Sequence, residues 1–278
     1  MRGRLHAVGR RGEPDARPAR QQALHARDGA LLERDGRAHH PRQRPGAIWP
    51  PGDGIRFHLA EHVHTDIVAH SVNGFPVRTS EEFLELQRAA AAAGAGHPEA
   101  LGSFLAAHPN AKRFVETPKS IPTSFTREAF FAVTSFKFTN ARGVSRHGRF
   151  RIRPEAGTEY LSDAAAAAKS ENFLFDEIGP RLAKEPVRLG VFVQMAGPGD
   201  DVADASVTWP DNRTDIGFGT ITLTARVDDQ APDRRKIIFD PLPRVDGIDS
   251  SGDPLTEVRA DVYLLSGRRR RAVGDGRP

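Results

Sequence analysis

Two apolar rhythms divide this chain. From Ile55, the stretch "IRFHLAEHVHTDIVAHSVNGF" reads as two short strands joined by a turn. "SEEFLELQRAAAAAGA" then shifts to helical spacing, with Ser80 as the N-cap and Phe83, Leu84 and Leu86 carrying the apolar positions. "HPEALGSFLAAHPNAKRFVE" predicts one or two further short helices broken at Pro109 and Asn110. Alternation returns in "AFFAVTSFKFTNARGVSRHGRFRIRPEAG": Phe136 and Phe138, then Phe150 and Ile152, with the turn "NARG" between them, predict a hairpin. "SDAAAAAKSENFLFDEIGPRLAKEP" predicts a helix up to Pro186. "VRLGVFVQMA" and "FGTITLTARV" predict two more strands, and "DPLTEVRADVYLL" a closing helix. Strands and helices are segregated and the strands pair antiparallel, so the expected class is α+β.

The first 53 residues break both rhythms. They hold eleven arginines, no lysine, no phenylalanine and no tyrosine, and no apolar period persists. Composition predicts a basic, disordered segment over 1–53, an ordered domain over 54–272 and a tail over 273–278. Elsewhere composition mainly excludes. With 38% hydrophobic and 27% charged residues the chain is ordinary for a globular protein. No apolar run is long enough to span a bilayer, and no secretory leader is legible. Zero cysteines remove disulfides and thiolate chemistry and suit a reducing cytoplasm. A net charge of +4 does not argue for a nucleic-acid partner.

Candidate chemistry is sparse. His58, His62, His64 and His70 could supply metal ligands, since His62 and His64 share a strand face; exposed strand and turn histidines are the simpler reading. "GPGDD" and "DGIDSSGD" read as turns. No phosphate loop, dinucleotide glycine pattern or nucleophile elbow is present. That leaves Arg259 and Tyr263. Four apart on a helix, they share a face, and a fixed guanidinium beside a phenol favours the phenolate. Phenolate is a hard ligand for ferric iron. The plain alternative is an amphipathic terminal helix with a core tyrosine.

The surroundings of that pair resemble the proximal segment of haem catalases, and more closely that of the small catalase-related peroxidases. In "FDPLPRVDGIDSSGDPLTEVRADVY" the family pattern falls on Phe239-Asp240-Pro241, Gly247-Ile248, Asp253, Arg259 and Tyr263. "DIVAHSVNGFPVRTSEEF", "SFKFTNARG" with "PEAG", "VRLGVFVQMAGPGDDVADASVTWP" and "GTITLT" are similar to further family segments in the same order, so the likeness covers roughly residues 55–271. It implies a catalase-like antiparallel β-barrel core with packed helices. It also implies haem b, with Tyr263 as the iron's proximal ligand and Arg259 holding it as phenolate. Asn73 is implied as the amide that orients peroxide, Phe83 as a stacking partner of haem, and Arg268, Arg269 and Arg270 as partners of its propionates. The implied activity is decomposition of hydrogen peroxide through a ferryl species, which a second peroxide or a small organic donor reduces. Organic hydroperoxides are further substrates, and the expected assembly is a monomer or homodimer.

The likeness fails at the start. "RLHAVG" supplies His6 in the family's His-Ala-Xaa-Gly pattern for the distal base, but what should follow is replaced by "HHPRQRPGAIWPPGDG". Shifts of reading frame, at two different offsets, would account for this and would make residues 1–53 foreign to the family and His6 a coincidence. Bases encoding His39 to Pro45 can, read one position later, spell Thr-Ile-Pro-Asp-Asn-Asp-Pro, and Ala47 to Gly52 can conceal His-Leu-Ala-Pro-Arg-Gly. Two rival functions follow: a degenerate haem-binding relative without turnover, and a haem enzyme converting fatty-acid hydroperoxides.

Overall fold

The computed structural model describes residues 2–6, 30–33, 52–61, 63–226 and 237–274. Among them are ten strands: β1 (Arg2–His6), β2 (Ala30–Glu33), β3 (Gly52–Ala60), β4 (Val63–His70), β5 (Phe130–Phe131), β6 (Phe136–Thr139), β7 (Ser145–Pro154), β8 (Val187–Met195), β9 (Asp215–Ala225) and β10 (Ile248–Ser250). Six helices accompany them: α1 (Ser80–Gly94), α2 (Pro98–Ala107), α3 (Pro109–Glu116), α4 (Asp163–Ala167), α5 (Phe173–Lys184) and α6 (Pro254–Gly274). All strand pairs are antiparallel. Taken in the order β7, β5, β4, β3, β2, β1, β9, β8, the strands return to β7 and close a hydrogen-bonded ring. β6 and β10 extend from β7 outside it. The class is α+β with a catalase-like barrel core, as the sequence led us to expect.

Alternation explains the ring's interior. Ile55, Phe57, Ile67, Phe150, Ile152 and Ile221 sit at every second position of their strands and form one buried cluster with Leu189 and Val191. Closing the sheet removes this face from water on all sides and leaves no open edge in the ring. β1 and β2 lie inside the segment that composition marks as disordered. Their place comes from their neighbours: Leu5 registers with Ile221 of β9, and Leu32 with Ile55 of β3. The rest of residues 7–51 lies outside the described residues, including the stretch whose reading frame is in question.

Three local details differ from expectation. The N-cap of α1 is Thr79 rather than Ser80: its hydroxyl accepts the Glu82 N–H, and the Glu82 carboxylate reaches back to the Thr79 N–H, a complete capping box. The helix expected over 162–186 is two helices, interrupted at 168–172, while Pro180 is tolerated inside α5. The acidic loop near residue 250 is not wholly turn, because β10 pairs with β6 there. The break between α2 and α3 falls at His108, as Pro109 requires. No helix among the described residues is long and apolar enough to cross a membrane.

A buried carboxyl links the turn before β5 to the segment entering α4. The Tyr160 hydroxyl donates to Glu128 Oε1 at 2.8 Å, and the Ala129 N–H donates to the same oxygen at 2.9 Å. Oε2 is buried without a partner. Burial pushes the Glu128 carboxyl up from 4.5 to about 7, against the opposing pull of those two hydrogen bonds. The folded chain therefore holds this proton more tightly than the unfolded chain. The cost of ionising Glu128 is absent below pH about 4.5 and complete above about 7, where it reaches about 3 kcal/mol. Urea unfolding should show the parent losing stability relative to Glu128→Gln as pH rises through that window; a pH-independent difference would contradict the burial argument.

Candidate active site

The outer face of the barrel carries charge, and other segments cover it. On β7, Phe150 and Ile152 point inward, yet Arg149 and Arg151 on the opposite face are each only 1% exposed. Arg149 stacks over Trp209 at 4.2 Å and donates to the carbonyls of Val207 and Asp204. Arg151 lies 5.3 Å from the Phe131 ring centroid and donates to Gln194 Oε1 at 2.7 Å and Asn73 Oδ1 at 3.0 Å. Burial lowers both guanidiniums, Arg149 to about 10 and Arg151 to about 9, and the charge of Arg149 lowers Arg151 further. The register aligns His70, Phe131, Arg151 and Phe192 in one cross-strand row over β4, β5, β7 and β8.

A second buried pair anchors the segment before α6. Arg56 makes a bidentate contact with Asp66, at 2.8 and 2.7 Å, across the β3–β4 register. Asp66 also accepts the Asp240 N–H at 2.8 Å, and Arg56 donates to the Ile238 carbonyl. Phe239 lies against Gly54, where a Cβ would come within 2.8 Å of the ring. Ile238 in turn packs on Gly267 of α6, where a Cβ would sit 2.3 Å from its Cγ1. The Phe-Asp-Pro motif is thus a clamp from the barrel to the middle of α6.

On α6 the pair expected from spacing is formed. Arg259 Nη2 donates to the Tyr263 hydroxyl oxygen at 3.2 Å, and Nη1 donates to Thr134 Oγ1 at 3.1 Å. Burial opposes charge on Arg259, but Tyr263 and Asp253 more than compensate and raise it above its ordinary value. Asp253 begins the helix by accepting the Leu255 N–H at 2.9 Å; burial raises its carboxyl, against the pull of Arg259 and Arg149. Val258 and Val262, beside the Arg259–Tyr263 stripe, are 38% and 49% exposed.

The remaining expected residues are placed unequally. Asn73 joins the site, but Arg151 engages its side-chain oxygen and its carbonyl accepts from Thr208. Phe83 stacks on Phe75, with ring centroids 5.6 Å apart. Arg268 and Arg269 are exposed near the end of α6; the side chain of Arg270 lies outside the described residues. His6 ends β1 opposite Thr220 of β9, and its side chain too lies outside the described residues. Of the histidine cluster, His58 faces His64 across β3 and β4, whereas His70 lies six residues further along, about 20 Å away on an extended strand. His62 is outside the described residues. No group of three or more His, Asp or Glu among the described residues could hold a metal.

His70 itself departs from the exposed reading: its Nε2 is buried and unpartnered. Its ring is tilted against Phe75 at 6.4 Å, and the Val72 N–H donates to its Nδ1 at 3.4 Å. Burial, then the charges of Arg259 and Arg151, lower it to about 3. Sequence spacing could not single it out, because four histidines within thirteen residues share one strand pair.

A sequence model of the catalase family matches residues 51–274, most of the chain. The chain belongs to the catalase family. It is 32% identical over 250 residues to a catalase-related peroxidase of Mycolicibacterium paratuberculosis, covering 89% of this chain and 79% of that one. It is 29% identical over 236 residues to a catalase-related peroxidase of Synechococcus elongatus, covering 83% and 70%. Among solved structures, a bacterial catalase superposes with a TM-score of 0.73 at 17% identity over 96% of this chain, and catalase A of Saccharomyces cerevisiae with 0.70 at 16% over 87%. These two share its fold. The chain spans about half the length of the solved catalases, 55% and 53%.

Asp66 is the point at which barrel and clamp meet. Asp66→Ala leaves Arg56 buried without its carboxylate and frees the Asp240 N–H. Denaturant unfolding should record a loss of about 3–5 kcal/mol; a loss below 1 kcal/mol would mean that the pair does not anchor the clamp.

Proposed function

We propose that this chain is a haem-dependent, catalase-related peroxidase that decomposes hydrogen peroxide. The observation that carries the reading is the Arg259–Tyr263 pair, held at 3.2 Å on α6 by a guanidinium that Thr134 fixes from the other side. The residues present fit a tyrosine-ligated haem. The Tyr263 oxygen already receives a charged donor, an apolar stripe at Val258 and Val262 lies open beside it, and His70 Nε2 is an unpaired polar atom in the same region. When bound, haem would supply the two-electron redox chemistry toward peroxide and an organic donor.

The chain's residues divide the rest of the task. Tyr263 would supply the oxygen that holds the iron. Arg259, fixed by Thr134, would hold that oxygen in place through its hydrogen bond. Asp253 keeps the start of α6 capped and adds to the field that holds Arg259 charged. Arg268 and Arg270 follow Tyr263 by five and seven residues, about 7.5 and 10 Å along a helix. That reach suits guanidinium forks on propionate carboxylates. His6 would be the base that moves a proton between the two peroxide oxygens. Phe83, stacked on Phe75, offers an aromatic surface to the cofactor.

A second reading, a haem-binding relative without turnover, is favoured by one observation. The match to the family begins at residue 51, well after His6.

The full chain loaded with haem should give a ferric high-spin absorption spectrum that Tyr263→Phe loses, and should evolve oxygen from hydrogen peroxide. His6→Ala should keep the spectrum and lower turnover by about 10²–10⁴-fold. A parent that takes up haem through Tyr263 without evolving oxygen or oxidising an organic donor would select the second reading. A parent that takes up no haem would overturn both.

A further inference from the structure

The chain has two tyrosines, and Tyr263 alone belongs to the site described above. Tyr160 lies at the surface, 44% exposed, on the segment that enters α4. Its hydroxyl donates to Glu128 Oε1 at 2.8 Å, and Glu128 is itself only 2% exposed. A hydrogen bond at the surface gains little against water, whereas enclosing this carboxyl costs stability at neutral pH. Packing does not repay that cost, because Oε2 is buried and no described residue partners it. The pairing of an open phenol with a closed carboxyl calls for another reason.

Chemistry supplies one. A phenol that loses an electron becomes a strong acid and sheds its proton in the same event. The group beside it must then be a base near neutral pH. Burial places the Glu128 carboxyl there, at about 7. Burial, then the bond to Glu128, raises the Tyr160 phenol, so the ring keeps its proton until it is oxidised. The charged groups flanking the pair are engaged elsewhere: Arg127 lies 3.5 Å from Glu159, which the Thr123 hydroxyl and Arg127 lower and on which Arg181 of α5 also acts. Glu128 is therefore the group here that titrates near neutrality.

The pair also stands close to the site along the chain. β5 begins two residues after Glu128. Phe131 of β5 lies beside the Arg151 guanidinium, 5.3 Å from it, and registers with His70. Thr134, three residues further on, accepts from Arg259, the partner of Tyr263. Six residues of chain separate Glu128 from Thr134, a span of at most about 22 Å.

We propose that Tyr160 is a surface relay through which phenolic donors too bulky to reach an enclosed haem are oxidised one electron at a time, with Glu128 as its proton acceptor. This inference rests on the haem-peroxidase reading above. In each pass Tyr160 gives one electron to the peroxide-oxidised haem, and its O–H proton passes to Glu128 and on to solvent. The donor phenol then transfers a hydrogen atom to the Tyr160 oxygen and leaves as a phenoxyl radical. Two passes return both oxidising equivalents of one peroxide, and the two protons released balance its reduction to two waters.

A phenol tethered to dextran, excluded from any enclosed site by its carrier, provides the probe. Haem-loaded full-length parent, Tyr160→Phe and Glu128→Gln are given hydrogen peroxide, first without a donor and then with the tethered phenol. Without a donor, the parent should show a tyrosyl radical by electron paramagnetic resonance and oxidation products that mass spectrometry maps to Tyr160. Tyr160→Phe should keep the haem spectrum, lose that radical and oxidise the tethered phenol about tenfold more slowly. The parent's rate toward this donor should rise as pH passes about 7, where Glu128 ionises. Glu128→Gln keeps an oxygen for the Tyr160 hydroxyl but takes no proton, so above that pH it should be about tenfold slower than the parent. Where Tyr160→Phe does not fold, the mapping of oxidation in the parent carries the test. A parent left unmodified at Tyr160, or a Tyr160→Phe rate within threefold of the parent, overturns the proposal. So does a Glu128→Gln variant with the parent's rate and pH profile, which would leave Tyr160 without its proton acceptor. Failure of the parent to take up haem is seen before any variant is compared, and overturns the reading on which this one rests.

Discussion

A barrel whose strands are buried on both faces cannot leave charge on its outer side without partners. Arg56, Asp66, Arg149 and Arg151 lie on that outer side, and each is buried. A buried guanidinium is tolerable only where carbonyls, carboxylates or aromatic faces surround it. The loop around Trp209 supplies those groups for Arg149, Asn73 and Gln194 supply them for Arg151, and Asp66 together with the Ile238 carbonyl supplies them for Arg56. These demands decide which segments lie against the barrel, and so where α6 is held.

The candidate site inherits its geometry from that arrangement. Arg56 and Asp66 hold the Phe-Asp-Pro segment, and Ile238 of that segment meets α6 at Gly267, where no larger residue leaves room. Arg259 is then brought to Thr134, on the connection between β5 and β6, and from there to Tyr263. The field around the site is unbalanced: Arg151 and Arg259 are guanidiniums in restricted surroundings, and the histidine nearest to them in charge terms is kept neutral. An anionic ligand or a carboxylate-bearing cofactor complements such a field better than a cation does.

Much of the fold was legible because its core obeys simple periods. Phe136, Phe138, Phe150 and Ile152 alternate, and their hairpin follows from that alone. Arg259 and Tyr263 were legible because four residues on a helix bring two side chains together regardless of what surrounds the helix. Arg149 and Arg151 were not legible in this way, since alternation assigns the positions between core residues to solvent, and only the covering loop reverses that. The capping of α1 by Thr79 instead of Ser80 turned on which hydroxyl could meet the Glu82 carboxylate, a choice between adjacent residues that spacing alone does not settle.

The strands β1 and β2 show the same division at larger scale. Their sequence has no period strong enough to announce a strand, and the partners β3 and β9 place them. His70 and Asn73 stand three residues apart, and composition cannot rank them. Only the packed structure ties the Asn73 oxygen to Arg151 and closes His70 Nε2 off from solvent. The sequence by itself determined the α+β class, the barrel's inner face and the Arg259–Tyr263 pair, because each depends on contacts between residues close in the chain or on a repeating period. The tertiary structure decided which outer-face charges are buried, which segment holds α6 and which polar atoms are buried without a partner, because those depend on groups brought together from distant parts of the chain.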